Sequence, residues 1–391
     1  MKPLEGVRCL CIEHFAAGPY GTMFLADLGA QVIKVENPAT SGDPARRGPH
    51  MHLGENDSLY FQGWNTNKRS VTLDIKSPEG RTAFDQLAAS ADLMVNNLRG
   101  DQPTQLGLDY KSLSRLNPAI VCLHISAYGR DNERAGRPGY DFLMQAEAGL
   151  MSLTGEPDTV PTRFGSSVID YMSGITGALA LVACLLRARQ TGTGCDVDVS
   201  LFDVALHQLN YSATWYLNEG FISARQPRNA HSGNSPVQMF RAADGWIFVM
   251  CMTENFWLLL AQTFAHLGLE KDPRFANNNA RMANRETLTS ILDNEFRQRN
   301  MLDWVDRLGK LIPISPVYDI AQALENPFVS RVGMIASVSH PARPDLRLLS
   351  NPIKIDSERL LQVACSALGA DNAPLLGNAN AEPNSNIQNT H

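Results

Sequence analysis

Paired cysteines, catalytic metal motifs and long apolar runs are all missing from this sequence, and each absence removes a class of protein. The seven cysteines, at positions 9, 11, 122, 184, 195, 251 and 365, are odd in number and form no CxxC pair. Most stand in apolar runs such as Val121-Cys122-Leu123, the setting of reduced core thiols in a cytoplasmic protein rather than of a disulfide framework. No HExxH or GxSxG pattern occurs, which argues against a zinc protease or an α/β-hydrolase elbow. The nine histidines are scattered, and the one close pair, His50 and His52, reads as a solvated loop, so no metal is expected. Basic charge is in deficit: 34 Lys and Arg face 40 Asp and Glu, a net charge of -6. Nucleic-acid binding is therefore not expected, although a local basic pocket remains open. No run reaches the roughly 18 apolar residues of a membrane span; the longest, 175–186, reads as a buried helix. At the start, Glu5 and Gly6 stand where a secretory signal would carry its apolar stretch. No internal repeat is found.

With 391 residues, of which 44% are hydrophobic, the chain has material for two domains. Short β-branched runs alternate with helical stretches in the first half. Strands are predicted over 7–12, 31–36, 70–73, 93–96 and 120–126, and helices over 20–28 and 78–89. That alternation predicts a parallel sheet covered by helices, a Rossmann-like α/β domain. Longer helices follow over 143–153, 171–189 and 201–219, with a short strand at 196–199 between them. Residues 221–329 are expected to form a smaller α+β domain. It would be built on a hairpin around Ala243-Asp244-Gly245 and on helices over 254–267, 285–299 and 302–310. The large domain would span 1–220 and be completed by about 330–377. The asparagine-rich end, from Asn372 on and above all 378–391, has nothing to bury and is expected to be disordered.

Three places could carry chemistry. The loop His14-Phe15-Ala16-Ala17-Gly18-Pro19 feeds a helix N-terminus, where a phosphate or carbonyl oxygen can be bound. It lacks GxGxxG, so a dinucleotide site is the weaker alternative to a tight turn. Asp170 stands just before a predicted helix, where a carboxylate ordinarily caps the N-terminus; the same dipole end can also stabilise a reacting carboxylate and an adjacent oxyanion. Lys68, Arg69, Lys76 and Arg99 fall near strand ends and are candidate phosphate partners, or solvated surface charges.

Several segments together resemble the family III coenzyme A transferases, the group that contains the formyl-CoA and carnitine CoA transferases. They are Pro3-Leu4-Glu5-Gly6-Val7-Arg8, Ala17-Gly18-Pro19, Leu28 to Glu36, Asn67 to Asp74, Gly139-Tyr140-Asp141, Leu153-Thr154-Gly155, Thr191 to Gly194 and Val197 to Asp203. The resemblance implies that Asp170 is a nucleophile taking an acyl group from a CoA thioester, through a mixed anhydride and an aspartyl-CoA thioester. It implies CoA or substrate contacts at Ala16, Ala17, Gly18, Lys76, Asn97, Arg99, Gln105 and Tyr140. It implies no permanently bound cofactor, an acyl-CoA and a small carboxylic acid as partners, and an interlaced, threaded-ring homodimer. This chain departs from formyl-CoA transferase at Ala16, where that enzyme has glutamine, and at Gln105, where it has arginine. The related α-methylacyl-CoA racemases carry histidine where this chain has Tyr140, and a phenol is a poor base near neutrality. A racemase and a non-catalytic CoA-binding protein are the two alternatives.

Overall fold

The computed structural model describes residues 2–377 and divides them into two compact units. The first comprises 2–148, Gly165–Gln208 and 328–377; the second comprises Gly149–Phe164 and Leu209–Pro327.

The first unit is built on six parallel strands: β1 (Arg8–Ile12), β2 (Gln31–Glu36), β3 (Arg69–Thr72), β4 (Leu93–Asn96), β5 (Val121–Ser126) and β6 (Cys195–Ser200), in the order β3-β2-β1-β4-β5-β6. The chain runs outward from β1 to one edge and then returns to build the other half, so the order reverses between β1 and β4. Every residue of β4 and β5 is buried, as expected for strands covered on both faces. One face packs Leu10, Ile33, Val71 and Met94 against Phe84 and Leu87 of helix Pro78–Ala88. Helices Ala17–Asp27 and Val168–Thr191 belong to the same unit and touch through backbone. A Cβ on Gly21 would lie 2.4 Å from the Gly174 carbonyl oxygen, and one on Gly174 would lie 2.5 Å from that of Ala17. Only glycine permits that approach.

The helix boundaries differ from the sequence expectation where local signals compete. The first helix starts at Ala17 rather than near 20, because Pro19 fits within a first turn whose N–H groups are free in any case. The helix expected over 143–153 ends at Glu147 and gives way to a 3-10 turn at Leu150–Ser152. The stretch 201–219 is two helices, Leu201–His207 and Asn210–Glu219, the second opening on Asn210 in the left-handed region at φ 43°. Helix Val168–Thr191 is 24 residues long and, among the described residues, is the one helix long and apolar enough to cross a membrane. One side of it is buried through Ile169, Ser173, Gly177, Leu181 and Leu185, while Leu179 and Leu186 are 71% and 59% exposed. The expectation of a buried helix over 175–186 thus holds for one face only.

The second unit carries an antiparallel sheet of β7 (Val237–Arg241), β8 (Trp246–Met250) and β9 (Ile314–Pro316). The hairpin was expected and β9 was not, its three residues being too short to show a period. Phe240, Trp257, Phe264, Phe296 and Trp304 form its core with helices Glu254–Thr263, Arg285–Phe296 and Met301–Leu308. Gly149–Phe164 joins this unit because Glu156 accepts the Arg228 N–H (2.9 Å) and Arg225 donates to the Val160 carbonyl (3.1 Å).

Past Phe328 the chain returns to the first unit. Asn372, expected in a free tail, is anchored there: its side chain accepts the Thr72 N–H at 2.8 Å and donates to Thr72 Oγ1 at 2.7 Å. The segment 378–391 lies outside the described residues.

Candidate active site

Strands β1 and β4 are neighbours from which the chain departs in opposite directions, and a crevice opens at their carboxyl ends. His14, Phe15, Ala16 and Ala17 follow β1, Asn97 and Arg99 follow β4, and Ser126 and Ala127 lie at the end of β5. All of them line one cavity of about 320 Å³ together with Pro44, Gln102, Arg137, Tyr140 and Asp170. The Gly21–Gly174 contact lies about one turn beyond Ala17 on one helix and about one turn beyond Asp170 on the other, so it sets those two residues side by side.

Asp170 is the third residue of its helix, not the residue before it, so it does not cap the N-terminus. The position before the helix is Ser167, whose side chain makes no capping bond. The cap comes from Asp141, whose carboxylate accepts the Ile169 N–H at 2.5 Å and the Asp170 N–H at 3.0 Å. Asp141 is itself buried, and Gln145 donates to its other oxygen. Burial pushes the Asp170 carboxyl up to about 7, and the negative charge of Asp141 adds to the effect. The group can therefore exchange between acid and carboxylate near neutral pH. Burial also lowers the pKa of His14, favouring the neutral imidazole.

Beside Asp170, and lining the same cavity, is the start of helix Ala17–Asp27. Ala16, before that helix, has no side-chain cap to offer. The N–H groups of Ala16, Ala17 and Gly18 have no hydrogen-bond partner among the described residues. Unpaired amides at a positive dipole end can bind an anion or a developing oxyanion. Phe15 stands edge-on to Tyr140, ring centroids 6.2 Å apart.

Of the residues singled out by sequence, Ala16, Ala17, Asn97, Arg99, Tyr140 and Asp170 share this cavity. Gly18 lies just behind it, where a Cβ would come within 3.0 Å of Glu13 and 3.3 Å of the Asn97 side chain. Lys76 and Gln105 line a separate recess with Arg81 and Arg115. Arg99 is partly neutralised by Asp101, which it meets through two bonds of 3.1 and 2.9 Å. Lys68 is no phosphate partner: it is buried, and its Nζ donates to Glu13 (2.8 Å), Asn65 and the Pro19 carbonyl. Arg137 was missed, as was the capping role of Asp141, which had entered only as part of the Gly139-Tyr140-Asp141 segment of the resemblance. Both flank the Gly139-Tyr140 pair, but nothing in their local spacing distinguishes them from surface charges. Among the described residues no group of three or more His, Cys, Asp or Glu side chains is placed to hold a metal ion.

This fold is shared with proteins of known class. Residues 4–372 match the model of CoA-transferase family III. The chain is 31% identical to the acetyl-CoA:oxalate CoA-transferase of Acetobacter aceti, over 90% of this chain and 89% of that one. It is 33% identical to the succinate–glutarate CoA-transferase of Agrobacterium fabrum, over 85% and 84%. A CAIB/BAIF family protein from Brucella suis superposes with a TM-score of 0.85 at 32% identity, covering 97% of this chain and all of that one. The chain belongs to CoA-transferase family III and is an enzyme that transfers coenzyme A between an acyl-CoA and an acid.

Proposed function

We propose that the enzyme exchanges CoA between two small carboxylic acids, at least one of them a dicarboxylate, with Asp170 as the covalent carrier. The observation that carries this reading is Asp170 itself, a buried carboxylate able to ionise near neutrality and sharing its cavity with the unpaired amides of Ala16 and Ala17. The Asp170 carboxylate attacks the thioester carbonyl of the donor, forming a mixed anhydride and releasing CoA thiolate. The thiolate attacks the aspartyl carbonyl, giving an aspartyl-CoA thioester and the free donor acid. An acceptor carboxylate then attacks that thioester, and the thiolate takes the acceptor acyl group from the second anhydride. Carboxylates and thiolate exchange places with no net change in electrons or protons, so no permanently bound cofactor is needed. Oxalate, succinate and glutarate, named in the relatives' activities, support the choice of a dicarboxylate.

Arg99 and Arg137, lining the cavity, would hold the phosphates of CoA, with Ala16, Ala17, Gly18, Asn97 and Tyr140 around the reacting end. The recess of Lys76 and Gln105 would take a more distant part of the nucleotide. The exposed Leu179 and Leu186 of helix Val168–Thr191 support the interlaced homodimer, in which a second chain would cover them. Seven unpaired cysteines support a cytoplasmic setting.

Heavy-oxygen labelling tests the carrier. The acceptor's attacking oxygen bridges the second anhydride and stays on Asp170 when thiolate opens the acceptor carbonyl. Turnover with carboxylate-labelled acceptor should mark the peptide containing Asp170 and no other. Asp170→Ala should lose both label and transfer. A folded Asp170→Ala variant with full activity would sink the reading.

A further inference from the structure

The turn between β1 and helix Ala17–Asp27 is gripped by more side chains than a strand-to-helix connection needs. Three consecutive residues are held through their backbone. The Glu13 carbonyl accepts from Lys34 Nζ at 2.9 Å. His14 donates its N–H to Asn97 Oδ1 at 2.8 Å, and its carbonyl accepts from Asn97 Nδ2 at 2.6 Å. Phe15 donates its N–H to Asp43 Oδ1 at 3.2 Å, and that oxygen also accepts the Ala45 N–H at 2.9 Å. Behind them Lys34 Nζ meets Asp43 Oδ2 at 2.9 Å, both side chains fully buried. The contact has ion-pair distance without hydrogen-bond alignment. Burial would strip Lys34 of its proton, but Asp43, Glu13 and Glu36 outweigh that and keep it charged. A buried pair of this kind carries a desolvation cost and is weak evidence for stability.

What the grip holds is a strained residue. Phe15 has φ 56°, a left-handed conformation that a bulky side chain disfavours and that persists only where the surroundings over-determine it. Rotating Phe15 back to negative φ would turn the peptide plane that carries the Ala16 N–H. The next three N–H groups in the chain, at Ala16, Ala17 and Gly18, are the unpaired ones at the candidate site.

We propose that Asp43, Lys34 and Asn97 are positioning residues that lock Phe15 in its left-handed conformation and so aim the Ala16 and Ala17 amides at the thioester carbonyl during attack. The proposal rests on the reading of Asp170 as the acyl carrier. It assigns Asn97 a role through the loop rather than through direct contact with CoA. Amides aimed at charge that develops only in the transition state act on turnover and not on donor binding.

A double-mutant cycle between Asp43 and Phe15 tests the lock. Asp43→Asn keeps a side-chain oxygen for the Phe15 and Ala45 amides but removes the charge that holds Lys34. Phe15→Gly adopts φ 56° without strain. Asp43→Asn should lower kcat by about tenfold or more while the donor KM stays within about threefold. In the Phe15→Gly background the same substitution should cost less than about threefold, because the glycine turn no longer needs forcing. Asn97→Ala, at the more exposed rim, should repeat both effects and decides the matter alone if Asp43→Asn does not fold. Equal losses in the two backgrounds, a loss carried by KM, or a lower Tm with unchanged kcat would each overturn the lock. Slowed Asp43→Asn enzyme should still label the Asp170 peptide once per turnover. An active Asp170→Ala variant would instead overturn the carrier reading, independently of the cycle.

Discussion

The acid limb of the pH profile is the sharpest consequence of the geometry around Asp170. The carboxyl is pushed up to about 7 by burial first and by Asp141 second, and only its ionised form can attack a thioester. In the free enzyme, kcat/KM should therefore fall with unit slope below about pH 7. Relative to the plateau it should be down about tenfold at pH 6 and about a hundredfold at pH 5. Asp141→Asn keeps a side-chain oxygen for the Ile169 and Asp170 amides while removing the charge. Asp141 is the smaller of the two causes, and the whole rise from the ordinary aspartate value of 3.8 is about three pH units. Removing its charge should shift the limb to lower pH by no more than about one and a half units. A shift of one unit would shrink the loss at pH 6 from about tenfold to about twofold. Initial rates at low donor concentration between pH 4.5 and 9, with the folded fraction checked at each pH, measure both limbs. A wild-type limb near pH 4 would refute the link between Asp170 ionisation and rate. A wild-type limb near 7 that Asp141→Asn leaves in place would refute the part assigned to Asp141.

Stability should carry the same signature with its own sign. A carboxyl raised in the folded state binds its proton more tightly there than in the unfolded chain, so its contribution to stability is lost as pH rises from about 4 towards 7. Asp170→Asn should accordingly gain thermal stability over wild type at pH 8 but not at pH 4, and a gain equal at both would contradict the burial of this charge. Gly174→Ala places a Cβ 2.5 Å from the Ala17 carbonyl oxygen. It should destabilise by about 1–3 kcal/mol and reduce kcat in the folded fraction by separating the two helix starts; urea unfolding and active-site titration check both. Arg99→Ala should raise the donor KM far more than it lowers kcat, and an unchanged KM would remove Arg99 from CoA binding. Light scattering at working concentration should give a dimer, and a folded, active monomer would contradict the interlaced assembly.

Alternation of apolar strands and amphipathic helices was legible along the first half of the chain, because a strand or helix is specified by residues within a few positions of one another. The parallel sheet followed from it, since strands joined through helices return in the same direction. Asp170 and the loop at Ala16 and Ala17 were picked out as candidates as well, one from the family resemblance and its place near a helix start, the other from its small residues. Their partnership was not. Asp141 caps the helix of Asp170 from 29 positions upstream, Asn97 grips His14 across 83, and Lys68 reaches Glu13 across 55. Spacing along the chain carries no mark of such pairs. For the same reason Lys68 looked like a phosphate ligand, and nothing along the chain showed that Lys76 and Gln105 line a different recess from Arg99. The helix starts at Ala17 and Val168 were misplaced by about a turn because their capping groups are remote or absent, and a propensity pattern reads only local caps. Periodicity and turn chemistry thus determined which elements form. The Gly21–Gly174 approach and the buried charges at the end of β1 decided which side chains meet, because backbone contact and ion pairing act through space.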